Sequence, residues 1–307
     1  VGTLGNEAPN GTLIVAEVAS KMELSKRLQE PKFWLLAIVA AIAALHLTLL
    51  SRIDDSDMFA TSILFWVAAG SLVWDKHDTL MLESKPLPTV LGLLMLAFIL
   101  LRTALSGDSV SSAWAIPLIS ALAVGLLASG FKGLKQYWKE LLIFGLLAIY
   151  PFLKLLLQIV DLSEITAKTA SAMLWYVGFN VQRQGVFLIL PTSRVEVYGA
   201  CSGLQSILQM LAISVLFLLM FPIRSHVKKT LCVVIALLIG FLVNAIRVAL
   251  MVILNNAGNK SAFDYWHEGD GSLVFAAIAV LIFGGFCWLT FLRQSSQTPD
   301  SGAKGNA

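Results

Sequence analysis

Apolar residues in this chain fall in long runs, neither alternating nor confined to stripes, and short polar segments separate the runs. Each run approaches the ~20 residues that a helix needs to cross a bilayer. The pattern predicts eight spans, at roughly 33–50, 58–74, 88–105, 113–129, 140–159, 201–221, 230–254 and 272–292. A polar tail (1–32) precedes this transmembrane domain (33–293), and a second tail (294–307) follows it. One connection is long. Between about 160 and 200, apolar residues at helical spacing (Ile165, Ala172, Met173, Trp175, Tyr176) predict a helix lying along the membrane interface. Two β-like runs follow, Val186–Leu190 and Val195–Tyr198, separated by Pro191-Thr192-Ser193-Arg194, which reads as a small hairpin. The predicted fold class is therefore an all-α polytopic membrane protein with a helix-and-hairpin loop before the sixth span.

Composition agrees, with 57% apolar and 13% charged residues and a mean hydropathy of +0.80, where soluble domains carry about 25% charged residues. The net charge of +3 says little, but its distribution is informative. Basic residues occupy the N-terminal tail and alternate loops: Lys76 and Lys85; Lys132, Lys135 and Lys139; Arg224, Lys228 and Lys229; Arg293 and Lys304. The intervening loops hold Asp54, Asp55 and Asp57 with only Arg52, then Asp108 near Arg102, then Asp264, Glu268 and Asp270 with Lys260. The positive-inside rule then places both termini in the cytoplasm and the long loop outside. No cleavable signal peptide is expected, because the first apolar run is long and lacks a small-residue cleavage site. The bilayer is the evident partner, and no feature points to nucleic acid.

The stretch from Val195 to Gln209, VEVYGACSGLQSILQ, runs from a β-like segment through a glycine and a cysteine into an apolar helix. This predicts Cys201 on the first turn of the sixth span, where unpaired backbone N–H groups favour a thiolate. The alternative is a buried structural cysteine. Gln205 and Gln209 follow at spacings of four and would share its helix face, reading as helix–helix hydrogen bonds. Arg247 lies inside the outer end of the seventh span with Asn244 three residues earlier; an arginine there marks a function unless it snorkels to the headgroups. His267 precedes the eighth span. The charge-derived topology brings Cys201, Arg247 and His267 to one outer face on successive spans. A cysteine nucleophile, a histidine proton carrier and an arginine oxyanion stabiliser form a set suited to acyl transfer. His46, His77 and His226 read as structural or incidental, and Cys232 and Cys287 as packing residues; the three cysteines fit neither a disulfide framework nor a zinc site. No HExxH, GxSxG, Walker or dinucleotide motif occurs. Two other readings use the same residues: a transporter binding an anion at Arg247, which lacks an inverted repeat, and a membrane acyltransferase.

Three signatures, ACSGL at 200–204, NAIR at 244–247 and His267 with Gly271 four residues on, make residues 140–290 resemble the exosortases of the exosortase/archaeosortase group. The wording VEVYGACSGLQ is most similar to the cyanobacterial branch, whereas Ser272 stands where the commoner pattern has an aromatic residue. The resemblance implies a membrane-embedded, sortase-like cysteine transpeptidase in the inner (plasma) membrane. Its partners would be exported proteins ending in a Pro-Glu-Pro motif, a membrane helix and a basic tail, cleaved at the extracytoplasmic face. It also implies Cys201 as nucleophile, Arg247 as transition-state stabiliser, His267 as acid/base and Asn244 as a supporting residue, with no cofactor and no metal. If the signal presents a glutamate at the outer surface, a second cation is needed, and Arg194 at the turn of the hairpin is the candidate substrate-binding residue.

Overall fold

The structure, a computed structural model, describes residues 31–52, 56–106, 113–157, 160–267 and 271–293. Nearly all of the two predicted tails, together with Asp54, Asp55, Asp108, Glu268 and Asp270 of the charge pattern, lies outside the described residues. The first five apolar runs form α1 (Pro31–Arg52), α2 (Ser56–Asp75), α3 (Pro86–Ser106), α4 (Ile116–Gly133) and α5 (Trp138–Leu157). Apolar composition runs unbroken through the α4–α5 junction, so Ile116–Leu153 counts as one 38-residue helical stretch long and apolar enough to cross a membrane. It is not one rod. Gly130 leaves helical geometry at φ 62°, and a 3₁₀ turn, Leu134–Tyr137, folds back until Leu134 Cδ1 lies 2.8 Å from where a Cβ on Gly125 would stand. The hydroxyls of Ser129 and Tyr137 close the turn at 3.0 Å.

The basic loops gather at one end of the helices. Lys76 Nζ donates to the Gln136 carbonyl (2.5 Å) and to the buried Glu140 carboxylate (2.8 Å), and Lys139 Nζ donates to the Leu219 carbonyl (3.0 Å). Away from that end, buried His46 sets Nε2 3.2 Å from the Ala113 carbonyl and accepts from Trp66 Nε1 at Nδ1 (3.1 Å). Indole N–H can only donate, so this histidine carries its proton on Nε2 and serves as a helix-to-helix strut, in line with the structural role read for it.

The long loop forms a cap. Its helix, α6 (Ser163–Tyr176), leads into a three-stranded antiparallel sheet of β1 (Gln182–Gln184), β2 (Phe187–Leu190) and β3 (Ser193–Glu196). The predicted hairpin is β2–β3, in register Leu188↔Val195 and Ile189↔Arg194. Strand β1 was not foreseen, because its Gln-Arg-Gln is exposed throughout and carries no apolar alternation. The face of α6 expected to be apolar is the exposed one, with Ile165 at 54%, Trp175 at 67% and Tyr176 at 84% exposure. The opposite face, Ser163, Thr166, Ala167, Ala170 and Leu174, is buried. Leu188, Leu190 and Val197 pack there, together with Val248, Ala249 and Val252 of the seventh apolar run. Small residues let α6 approach closely, and small residues do not register as an apolar stripe.

The last three runs form α7 (Leu204–Met220), α8 (His226–Asn256) and α10 (Gly271–Cys287), the last continued by a π turn, Trp288–Leu292; a short α9 (Lys260–His267) joins α8 to α10. Gly240 lets α8 press on α7, since a Cβ there would lie 2.8 Å from the Ser206 carbonyl. At the hairpin turn, the Thr192 hydroxyl lies 2.8 Å from the Asn256 carbonyl and 2.7 Å from its Oδ1, so the cap is pinned to the end of α8.

Candidate active site

Cys201 is not on the first turn of a helix, contrary to the sequence expectation. It closes a 3₁₀ turn, Gly199–Cys201, in which its N–H donates to the Tyr198 carbonyl (2.8 Å). The helix starts three residues later, at Leu204, because Gly203 stands in the left-handed region at φ 87°. The family-like glycine thus has a structural reason. Only glycine adopts that φ without cost, and a Cβ here would lie 2.8 Å from Asn244 Nδ2 and 3.1 Å from its Cγ. The same offset removes Cys201 from the face shared by Gln205 and Gln209. Gln209 makes the helix-to-helix bond read for it, Nε2 donating to Thr61 Oγ1 on α2 (2.8 Å), and both glutamines line an open cleft of about 470 Å³ with Thr61 and Tyr150.

Four of the predicted residues meet. Cys201 Sγ lies 3.7 Å from His267 Nε2, inside the reach of a sulfur hydrogen bond. Asn244, 4% exposed on α8, donates from Nδ2 to the Cys201 carbonyl at 3.0 Å. Arg247, one turn further along α8 and about 14 Å from its end at 1.5 Å per residue, donates from Nη2 to the His267 carbonyl. The guanidinium is thus tied to the main chain of the residue whose ring faces the thiol. Below it opens a cleft of about 380 Å³ between α7, α8 and α10, lined by Ser206, Gln209, Asn244, Arg247, Ser272 and Phe275. Ser272 therefore borders this cleft, into which an aromatic residue would project.

His267 closes α9, and its ring stacks on Phe263 one turn earlier, with centroids 5.1 Å apart and planes 23° apart. Gly271 permits the return into α10: a Cβ there would lie 2.8 Å from the Tyr265 carbonyl and 3.0 Å from Trp266 Cα. A glycine at 271 is thus required by the packing of the start of α10 against Tyr265 and Trp266.

Arg194 is placed differently. It projects from the exposed face of the sheet with its guanidinium 3.9 Å from the Phe187 ring centre, a cation–π contact, whereas its neighbour Val195 packs inward toward the cluster that also touches Cys201. Cys232 and Cys287 are buried at 0% and 1% in one cluster between α8 and α10, as read for packing residues. His77 stacks on Trp74 at the surface, and His226 begins α8. Among the described residues, no disulfide forms and no group of three or more His, Cys, Asp or Glu side chains could hold a metal ion.

Two contributors escaped sequence reasoning. Phe263 is one aromatic among many, and only its spacing of four from His267 could have drawn attention. Thr166, whose hydroxyl donates to the Ser202 carbonyl at 2.8 Å, lies outside every motif.

In comparison with known proteins, the family model of the transmembrane exosortases matches residues 53–284. No curated protein and no solved structure matches the chain.

Proposed function

Since the chain belongs to the transmembrane exosortase family, a family of membrane-embedded, sortase-like processing enzymes, we propose that it cleaves exported proteins at a C-terminal Pro-Glu-Pro sorting signal through a cysteine thioester. The site would face the extracytoplasmic side of the inner membrane, with both termini in the cytoplasm and eight spans between them. The alternating basic loops support that orientation.

The observation that carries the reading is the 3.7 Å approach of Cys201 Sγ to His267 Nε2. In the proposed reaction the sulfur attacks the scissile carbonyl carbon while His267 takes the thiol proton. Collapse of the tetrahedral adduct breaks the C–N bond, His267 returns the proton to the leaving amine, and a thioester remains on Cys201. An incoming amine or water then attacks the thioester and releases the thiol. Arg247 would stabilise the oxyanion; one of its five N–H donors is taken by the His267 carbonyl, which ties the guanidinium to the main chain of His267. Asn244 would hold the nucleophile's own carbonyl and so fix the turn behind the sulfur. Arg194, on the outer face of the cap, would meet the glutamate of the signal.

The test is covalent trapping. With an exported reporter carrying such a signal, wild-type membranes should yield a thioester adduct that hydroxylamine releases. Cys201→Ala should give neither adduct nor processed product at a normal membrane level, while Cys232→Ala and Cys287→Ala remain active. Processing by the Cys201 variant would remove the mechanism.

A further inference from the structure

The turn that carries Cys201 is held by two helices. From α8, Asn244 holds the carbonyl of Cys201 itself. From α6, the Thr166 hydroxyl donates 2.8 Å to the carbonyl of the next residue, Ser202. Thr166 is wholly buried and Ser202 is 3% exposed, so water does not substitute for this bond. The rest of that buried face of α6 is mainly apolar, Ala167, Ala170 and Leu174 packed with Val248, Ala249 and Val252. A hydroxyl in such a seam is costly unless it is bonded, and the Ser202 carbonyl satisfies it. The Ser202 side chain in turn donates to the Gly199 carbonyl (2.7 Å) and braces the turn from within. Two consecutive carbonyls held from two helices fix both peptide planes that follow Cys201.

We infer that Thr166 is a positioning residue: by binding the Ser202 carbonyl it ties the turn to the cap and keeps Cys201 Sγ within reach of His267 Nε2. This rests on the proposed function, in which Cys201 is the nucleophile. The position of the sulfur then depends on how α6 seats on α8, as well as on the packing of the spans.

The test compares Thr166→Val, which keeps the shape and loses the donor, with Thr166→Ser, which keeps the donor. Both are made in the full-length, membrane-embedded enzyme and assayed with an exported reporter ending in Pro-Glu-Pro, an apolar helix and a basic tail. Misplacing a reacting group by about 1 Å costs on the order of a hundredfold, so Thr166→Val should lower kcat by about that factor with KM nearly unchanged. Thr166→Ser should retain most of the turnover. In a background lacking Cys232 and Cys287, the rate of Cys201 alkylation should change in the valine variant and return to the wild-type value in the serine variant. Wild-type turnover in Thr166→Val, a change in KM alone, or equal loss in both variants would overturn the assignment. Cys201→Ala run alongside separates the two levels. Processing without Cys201 defeats the proposed mechanism and this role with it, whereas loss there beside wild-type turnover in Thr166→Val defeats only the role of Thr166. If the valine variant fails to accumulate, Thr166→Ala takes its place against Thr166→Ser under the same criteria.

Discussion

Replacing Gly203 by alanine should damage the enzyme far more than its single added methyl suggests. Two costs combine. An L-residue at φ 87° is strained by about 1–2 kcal/mol, and the new Cβ would stand 2.8 Å from Asn244 Nδ2. The amide has to move, which breaks its bond to the Cys201 carbonyl and leaves the buried Asn244 donor unmet, a further ~1–3 kcal/mol. Gly178 supplies the control, with φ 95° and open space around its missing Cβ, so Gly178→Ala carries only the first cost. Thermal inactivation in membranes should therefore rank Gly203→Ala below Gly178→Ala, and reporter processing should fall by about a hundredfold in the former alone. The two changes should also couple: in an Asn244→Ala background, adding Gly203→Ala should cost little beyond the strain of its φ. Equal processing by the two glycine variants, or simple additivity with Asn244→Ala, would refute the claim that Gly203 exists to admit the Asn244 side chain.

Cysteines introduced at Asn256 should react with an impermeant reagent in intact cells, and those at Lys132 and Arg224 should not; labelling at 224 but not at 256 would invert the orientation. Arg247→Lys keeps the charge but loses the planar fork, and should process almost nothing in the reporter assay; wild-type rates in that variant would remove its role. His267→Ala should be severely impaired by the same readout, with residual acyl transfer rising at alkaline pH as the thiol ionises without help. Arg194→Glu should weaken processing of a Pro-Glu-Pro signal and partly recover with Pro-Lys-Pro, because an exposed pair is worth about 1 kcal/mol; equal loss with both substrates would mean that the arginine shapes the cap and does not read the signal.

The apolar helices were legible because hydropathy is a local property of the chain: six stretches are long and apolar enough to cross a membrane, Ile116–Leu153 counting as one of them, and Leu204–Met220 is a shorter apolar helix. The meeting of Cys201, Arg247 and His267 was legible for a different reason: loop charges fix which helix ends lie together, and polar side chains near those ends must then converge. What stayed hidden depends on tertiary packing. The start of α7 at Leu204 instead of Cys201 follows from the conformation of Gly203 against Asn244, two residues from different helices. Thr166 was invisible because its face of α6 is built of serine, threonine and alanine, which pattern reading takes for solvent-facing positions. Arg194 was selected by proximity in sequence, but strand alternation turns it to the side of the sheet opposite Val195.

The fold-back at Gly130 has a consequence for how the chain is made. A membrane-insertion machinery reading hydrophobicity alone meets 38 residues of helical apolar chain from Ile116 to Leu153. In the proposed topology these are two crossings, and reading them as one would reverse the parity of every segment that follows and deliver Cys201, Arg247 and His267 to the cytoplasm. The features available to set two crossings there are local: Gly130, which leaves helical geometry, and Lys132, Lys135 and Lys139 clustered just beyond it. On that topology, the side on which Cys201 comes to lie is decided during synthesis, some seventy residues before it emerges.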